Sequence, residues 1–202
     1  LHKTFITMVA KTREKLIEVA RQLFIHKGVE NTTISDIANA SDKGRRTIYT
    51  YFKNKKEIYA AVIDRESDKI VSELRAIVDS DCSCADKLRR FLHLRLAQTR
   101  LTDISAYSSI KSLITFEGRR TTKIRRLAYE KENSILEQIL SEGVAEGEFC
   151  AARCVMLNKF LLQMIQSTDA VPPSDEVLRP SADTYAALID FIVTDIMVKI
   201  PE

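Results

Sequence analysis

The chain has 202 residues, 45% of them hydrophobic, with only five glycines and four prolines. That composition supports one or two small domains with a true core and argues for long helices over a turn-rich β fold. No run of ~18 uncharged apolar residues occurs, so no membrane span is expected, and LHKTFITMVAK lacks a signal-peptide core, which points to the cytoplasm with Met8 as a candidate start. The net charge of +3 hides an asymmetry: residues 1–60 carry 12 Lys/Arg against 6 Asp/Glu, and the remainder 19 against 22. A basic head on a mildly acidic body suggests a module that binds a polyanion joined to one that does not.

The first helix is expected from Lys11 to His26, with Leu16, Val19, Ala20, Leu23 and Phe24 on one stripe and Gly28 as its left-handed stop. A short second helix follows Thr33, which pairs with Asp36 as a capping box, and it ends at the turn Ser41-Asp42-Lys43-Gly44. A third short helix spans Arg45 to Tyr51. Asn54 caps a fourth that runs from Lys55 to about Val78.

Asp79 to Ala85 reads as a polar hinge loop, and Asp86 opens a fifth helix carrying Leu88, Phe91, Leu92 and Leu96. A sixth helix is expected over Asp103 to Thr115. A charged seventh follows Gly118 and reaches Glu142, burying Ile124, Leu127, Ile135, Leu136 and Ile139. The eighth (Ala151 to Gln166) and ninth (Ser181 to Ile200), on either side of a Pro-containing loop, are apolar on more than one face. Such helices need cover on both sides, and a second copy of the chain is the simplest cover. The residues assigned to that dimer interface are Phe160, Leu161, Ile165, Tyr185, Leu188, Ile192 and Ile196.

Two short helices joined by a turn, with six basic residues and one acid between Ser41 and Lys56, have the layout of a helix-turn-helix DNA reader. Arg45 and Arg46 open the third helix, where a guanidinium fork can pair with guanine. Thr47 and Thr50 offer a hydroxyl and a methyl group to base edges, and Tyr49 and Tyr51 offer hydroxyls to phosphate. Lys55 and the capping residue Thr33 are the remaining expected phosphate contacts. Ile48 and Phe52 seat the helix.

The stretch TISDIANASDKGRRTIYTYFKNKKEIY, residues 33–59, resembles the DNA-binding core of the tetracycline-repressor (TetR/AcrR) family. Ile37-Ala38, Thr47 to Phe52 and Lys55 to Ile58 fall in register with its pattern, and Lys15 to Gly28 is similar to its first helix. The close match covers about Thr12 to Val62. Gly143-x-x-x-Gly147-Glu148-Phe149 is similar to a weaker family signature. The turn departs: where members have Ala-Gly-Val-Ser, this chain has Ser41-Asp42-Lys43-Gly44. Asp42 takes a position that often has positive φ, Lys43 replaces an apolar plug and Gly44 a better N-cap.

The resemblance implies an all-α protomer of about nine helices. A helix-turn-helix domain over 11–60 would precede a ligand-binding and dimerisation domain over 61–200. The implied partners are an operator duplex, a second copy of the chain and a small-molecule inducer that releases DNA.

Candidate pocket residues are those too polar or too large for a plain core: Phe91, His93, Arg95, Tyr107, Phe116, Tyr129 and Met164. Cys82, Cys84, Cys150 and Cys154 lack a zinc spacing, so neither metal nor cofactor is expected and the thiols read as small packing residues. A metal or thiol sensor on the same scaffold is the alternative. No catalytic constellation stands out, so no enzymatic activity is assigned. Repression is favoured over activation.

Overall fold

A computed structural model of the chain describes residues 2–101, 119–170 and 181–198. Among these the secondary structure is helical: α1 (His2–Lys27), α2 (Ile34–Ser41), α3 (Arg45–Tyr51), α4 (Lys55–Val78), α5 (Cys84–Leu101), α6 (Arg119–Ala145), α7 (Ala151–Ala170) and α8 (Ala182–Ile196). The helix expected over Asp103 to Thr115 lies outside the described residues. No helix of the described residues is long and apolar enough to cross a membrane. The chain forms two compact units, Leu1–Ser67 with Asp103–Arg126 and Asp68–Thr102 with Leu127–Glu202, so the division falls inside α4 and again inside α6.

The first unit closes around an apolar centre. Leu16, Ile17, Ala20 and Phe24 of α1 meet Ile37 and Ala38 of α2, Ile48 of α3, Phe52, and Ile58, Tyr59 and Val62 of α4, all buried. The Phe24 and Tyr59 rings meet edge to face with centroids 6.2 Å apart. Gly28, at φ +80, ends α1 and donates its N–H to Phe24 O at 3.1 Å. A side chain at that φ would be strained, which is why the helix stops there.

The second unit is a larger helical core. Leu74 and Val78 of α4 pack with Leu88, Phe91, Leu92 and Leu96 of α5, Ile135, Leu136, Ile139 and Leu140 of α6, Leu161 of α7, and Ile189, Ile192, Val193 and Ile196 of α8. α5 starts at Cys84, earlier than the expected Asp86, because Ser83 takes the cap: Asp86 N–H donates to Ser83 Oγ at 3.1 Å. α8 stops at Ile196, short of the expected Ile200. The chain there turns extended, and Phe149 and Met197 form an antiparallel bridge, with Cys150 N–H donating to Ile196 O and Val198 N–H to Glu148 O. Pairing with the α6–α7 turn replaces the next helical turn.

Candidate nucleic-acid interface

α2 begins where the sequence places it. Thr33 is extended (φ −105, ψ 162), Asp36 N–H donates to Thr33 Oγ1 at 3.1 Å, and Thr33 N–H donates to Asp36 Oδ2 at 2.8 Å. The Thr33 hydroxyl also donates to Asp36, and Lys27 Nζ reaches the other carboxylate oxygen at 3.1 Å. The Thr33 side-chain bond, then the Thr33 backbone N–H, then Lys27 hold the Asp36 carboxyl down at about 2.

The unusual turn is accommodated. Asp42 sits in the left-handed region (φ 55, ψ 44), and Lys43 N–H donates to Ala38 O at 3.0 Å. Asp tolerates that region better than most residues. Lys43 is exposed, so no apolar plug fills the turn, and Gly44 starts α3 with extended backbone and no side-chain cap.

α3 then presents one face to solvent. Ile48 is fully buried on its back and Phe52 follows nearly so, while Arg45, Arg46, Tyr49 and Thr50 are exposed and Thr47 and Tyr51 half-buried. Arg45 Nη1 lies 3.3 Å from Ser35 Oγ, a tie that leaves most of its fork outward. Thr50 Oγ1 donates back to Thr47 O, which directs its methyl group away from the backbone. The Arg13 guanidinium stacks 5.3 Å above the Phe52 ring, a neighbour that nothing local in the sequence announces.

Lys55 departs from its expected role. Its ammonium donates to Val29 O at 2.7 Å, Thr32 O at 2.9 Å and Glu30 O at 3.2 Å. An ammonium has three N–H donors, and all three are answered inside the domain. The ammonium expected to grip phosphate is here engaged in an internal clasp.

In the second unit the expected pocket residues do not form one set. Phe91 is an ordinary member of the apolar core, His93 is exposed, and Tyr129 and Met164 are half-buried. Tyr107 and Phe116 lie outside the described residues. Arg95 is the exception. It is buried with Glu132, which the sequence reading did not single out, and Nε and Oε2 stand 2.8 Å apart as an ion pair without the alignment of a linear hydrogen bond.

The thiols of Cys84 and Cys154 are buried and those of Cys82 and Cys150 half-buried, all of them free. Cys84, Glu146 and Glu148 bring three metal-ligating groups within 4.8 Å of one another. Both Glu148 oxygens are already used, accepting the N–H groups of Cys84 and Ala85 at 3.1 Å each. This carboxylate caps the α5 N-terminus from the α6–α7 turn, and the helix end supplies the positive potential a cation would otherwise bring. Burial, then the Glu146 carboxylate 3.5 Å away, pushes the Cys84 thiol up to about 11.

The expected interface residues also divide. Leu161, Ile192 and Ile196 are buried in the unit's own core, so they are not available to a partner. Tyr185 is half-buried against that core, and the side chain of Ile165 lies outside the described residues. Phe160 and Leu188 do face out, joined by three that the sequence reading missed: Val155 and Met156 on α7, at 64% and 76% exposure, and Phe191 on α8 at 69%.

Residues 16–62 match the family model for bacterial regulatory proteins of the tetR family. The chain is 26% identical over 144 residues to the HTH-type transcriptional regulator QacR of Staphylococcus aureus, an alignment covering 68% of this chain and 73% of that one. Its fold is similar to a putative transcriptional regulator from Saccharomonospora viridis solved in complex with choline (TM-score 0.76, 21% identity, 94% of this chain and 100% of the other). It is also similar to a transcriptional regulator of the TetR/AcrR family from Thermobifida fusca (TM-score 0.66, 25% identity, 90% and 94%).

Proposed function

We propose that the chain, whose residues 16–62 match the tetR family of bacterial regulatory proteins, is a DNA-binding transcriptional regulator that acts as a homodimeric repressor released from its operator by a small ligand. The observation that carries the reading is the α3 face. Arg45, Arg46, Tyr49 and Thr50 are exposed on a helix whose back is seated by buried Ile48. Side chains so placed reach base edges in a major groove, with Thr47 and Tyr51 at the margin and Thr33 at the start of α2 against the backbone.

Dimerisation uses the apolar faces of α7 and α8. Val155, Met156, Phe160, Leu188 and Phe191 are large apolar side chains exposed on these two helices, which favours a partner that covers them, and two recognition helices are needed to read a near-palindromic site. The protein works in the cytoplasm, where its operator is, and binding rather than catalysis is its activity.

The ligand is amphipathic. Among its described residues the second unit offers apolar surroundings with a buried charged pair, Arg95 and Glu132, as a polar anchor. A thermal-shift screen tests the class: stabilisation by amphipathic molecules supports it, and stabilisation by small polar metabolites alone counts against it.

The test of the main reading is a fluorescence-anisotropy titration against the DNA upstream of the protein's own gene, with random DNA beside it, at two salt concentrations. A specificity ratio of ~10³ or more with strong salt dependence is expected. Equal weak binding to both DNAs would overturn sequence-specific reading of that segment.

A further inference from the structure

The clasp made by Lys55 has a consequence for DNA reading. Lys55 is the first residue of α4 and follows closely on Phe52, the C-cap of α3. The carbonyls it holds belong to Val29, Glu30 and Thr32, in the turn between α1 and α2. Thr32 immediately precedes the α2 N-cap Thr33. One ammonium thus joins the chain just before α2 to the chain just after α3.

The turn it grips is itself firmly held. Thr32 is buried, and its hydroxyl donates to Gly28 O at 2.7 Å. Asn31 Nδ2 donates to Lys27 O at 3.0 Å, and Val29 is fully buried. By contrast the other link between the two helices, residues 42–44, is exposed and carries neither an apolar plug nor a side-chain cap on α3.

We propose that Lys55 is a positioning residue for operator recognition: it closes the helix-turn-helix into a ring and fixes the angle at which α3 meets DNA, without itself touching phosphate. The chemistry favours lysine in this place. A compact ammonium can distribute its three donors among three converging carbonyls, whereas a planar guanidinium directs its donors in one plane. The proposal rests on α3 being the reading helix, so the test is built to separate the two ideas.

The probe is duplex DNA selected by the wild-type protein from a randomised pool, with poly(dI-dC) as the non-specific competitor. Selection of a defined sequence by the wild type, with the preference at one base pair lost in Arg46→Ala, secures α3 as the reading helix before Lys55 is varied, and failure of either step sinks that reading rather than this one. Lys55→Arg keeps the charge and changes only the geometry. It is expected to lower affinity for the selected DNA about tenfold, the scale of one lost base contact. Affinity for poly(dI-dC) and the slope of log K against log salt should stay as in wild type. Lys55→Gln, which retains one amide donor pair, should lose specificity in the same sense, and it serves where Lys55→Arg does not fold by circular dichroism.

Two results overturn the proposal. If Lys55→Arg binds both DNAs like wild type while Lys55→Gln weakens both equally and flattens the salt slope by about one counterion, Lys55 grips phosphate. If both variants bind like wild type well below their melting temperatures and only melt earlier, the clasp supports the domain and has no part in recognition.

Discussion

Gly143 and Phe149 share one volume: a Cβ built on Gly143 would overlap Cδ2 of the Phe149 ring. The two are also joined through the backbone, with Phe149 N–H donating to Gly143 O at 2.9 Å. Gly147 between them has φ +76, so the chain leaves α6 through a left-handed residue and doubles back. Phe149 then plugs the core, and Glu148 turns to cap α5. The Gly-x-x-x-Gly-Glu-Phe segment therefore has a separate physical reason for each of its four fixed residues.

Gly143→Ala is expected to destabilise the chain by about 1–3 kcal/mol or more, because an aromatic ring packed in the core must move to admit the methyl group. Gly147→Ala meets open space and should cost about 1 kcal/mol, through backbone strain alone. Urea unfolding of both variants checks the ordering. Equal losses would mean that Phe149 yields freely and the close approach is not what restricts position 143.

Glu148→Ala removes the acceptor for two backbone N–H groups at the α5 N-terminus and should cost about 1–3 kcal/mol. The same variant reports on Cys84. With its thiol pushed up to about 11, mainly by burial, Cys84 holds little thiolate at pH 8 and should alkylate far more slowly than in unfolded chain. Fraying of α5 in Glu148→Ala should speed that labelling. Rapid alkylation of Cys84 in the intact wild type would instead favour the reading of the protein as a thiol sensor.

Much of the first unit is legible in the sequence because its helices are short and strongly two-sided. Thr33 with Asp36 starts α2, Ile37 and Ile48 can only point inward, and Arg45 and Arg46 can only point out. Lys55 is not legible, because its ammonium acts on carbonyls 23 to 26 positions back along the chain. Phe160 and Leu161 show the other limit. On a helix apolar all round, periodicity says that two faces are covered but not which one meets the protein's own core. Neighbours decide it: Leu161 goes inward and Phe160 outward. Arg95 stands out as a charge among leucines, yet its partner Glu132 lies on another helix amid many similar charges.

Asp36 gives a pH prediction with a definite sign. Its carboxyl is held at about 2, below the ordinary 3.8, so the capping box is fully present above pH 3.8 and is lost as pH falls through 2. The Thr33 side chain is the leading cause, so Thr33→Ala should move the Asp36 titration midpoint upward. Carbon-detected NMR titration of the side-chain carboxyl reads this directly. An unchanged midpoint in Thr33→Ala would transfer the effect to the backbone N–H of residue 33, which the substitution keeps, and to Lys27.

Arg46→Ala should weaken binding to the selected DNA by about 1–3 kcal/mol and relax preference at one base pair, since Arg46 is exposed on the face of α3 opposite buried Ile48. Repeating the selection with the variant locates that base pair. A uniform loss on every sequence, with a flatter salt slope, would place Arg46 on phosphate instead.

The apolar faces of α7 and α8 allow assembly to be separated from folding. Met156 and Phe160, at 76% and 63% exposure, touch little within the protomer. Met156→Lys with Phe160→Lys should therefore leave the far-ultraviolet spectrum intact yet turn the proposed dimer into a monomer in sedimentation velocity at micromolar concentration. Leu161, one position further along the same helix, is fully buried, and Leu161→Ala should cost about 2–5 kcal/mol through the cavity it leaves. The two experiments test different faces of one helix. A double-lysine variant that stays dimeric would mean that another surface joins the protomers, and the spacing of the two recognition helices would then have to be set elsewhere.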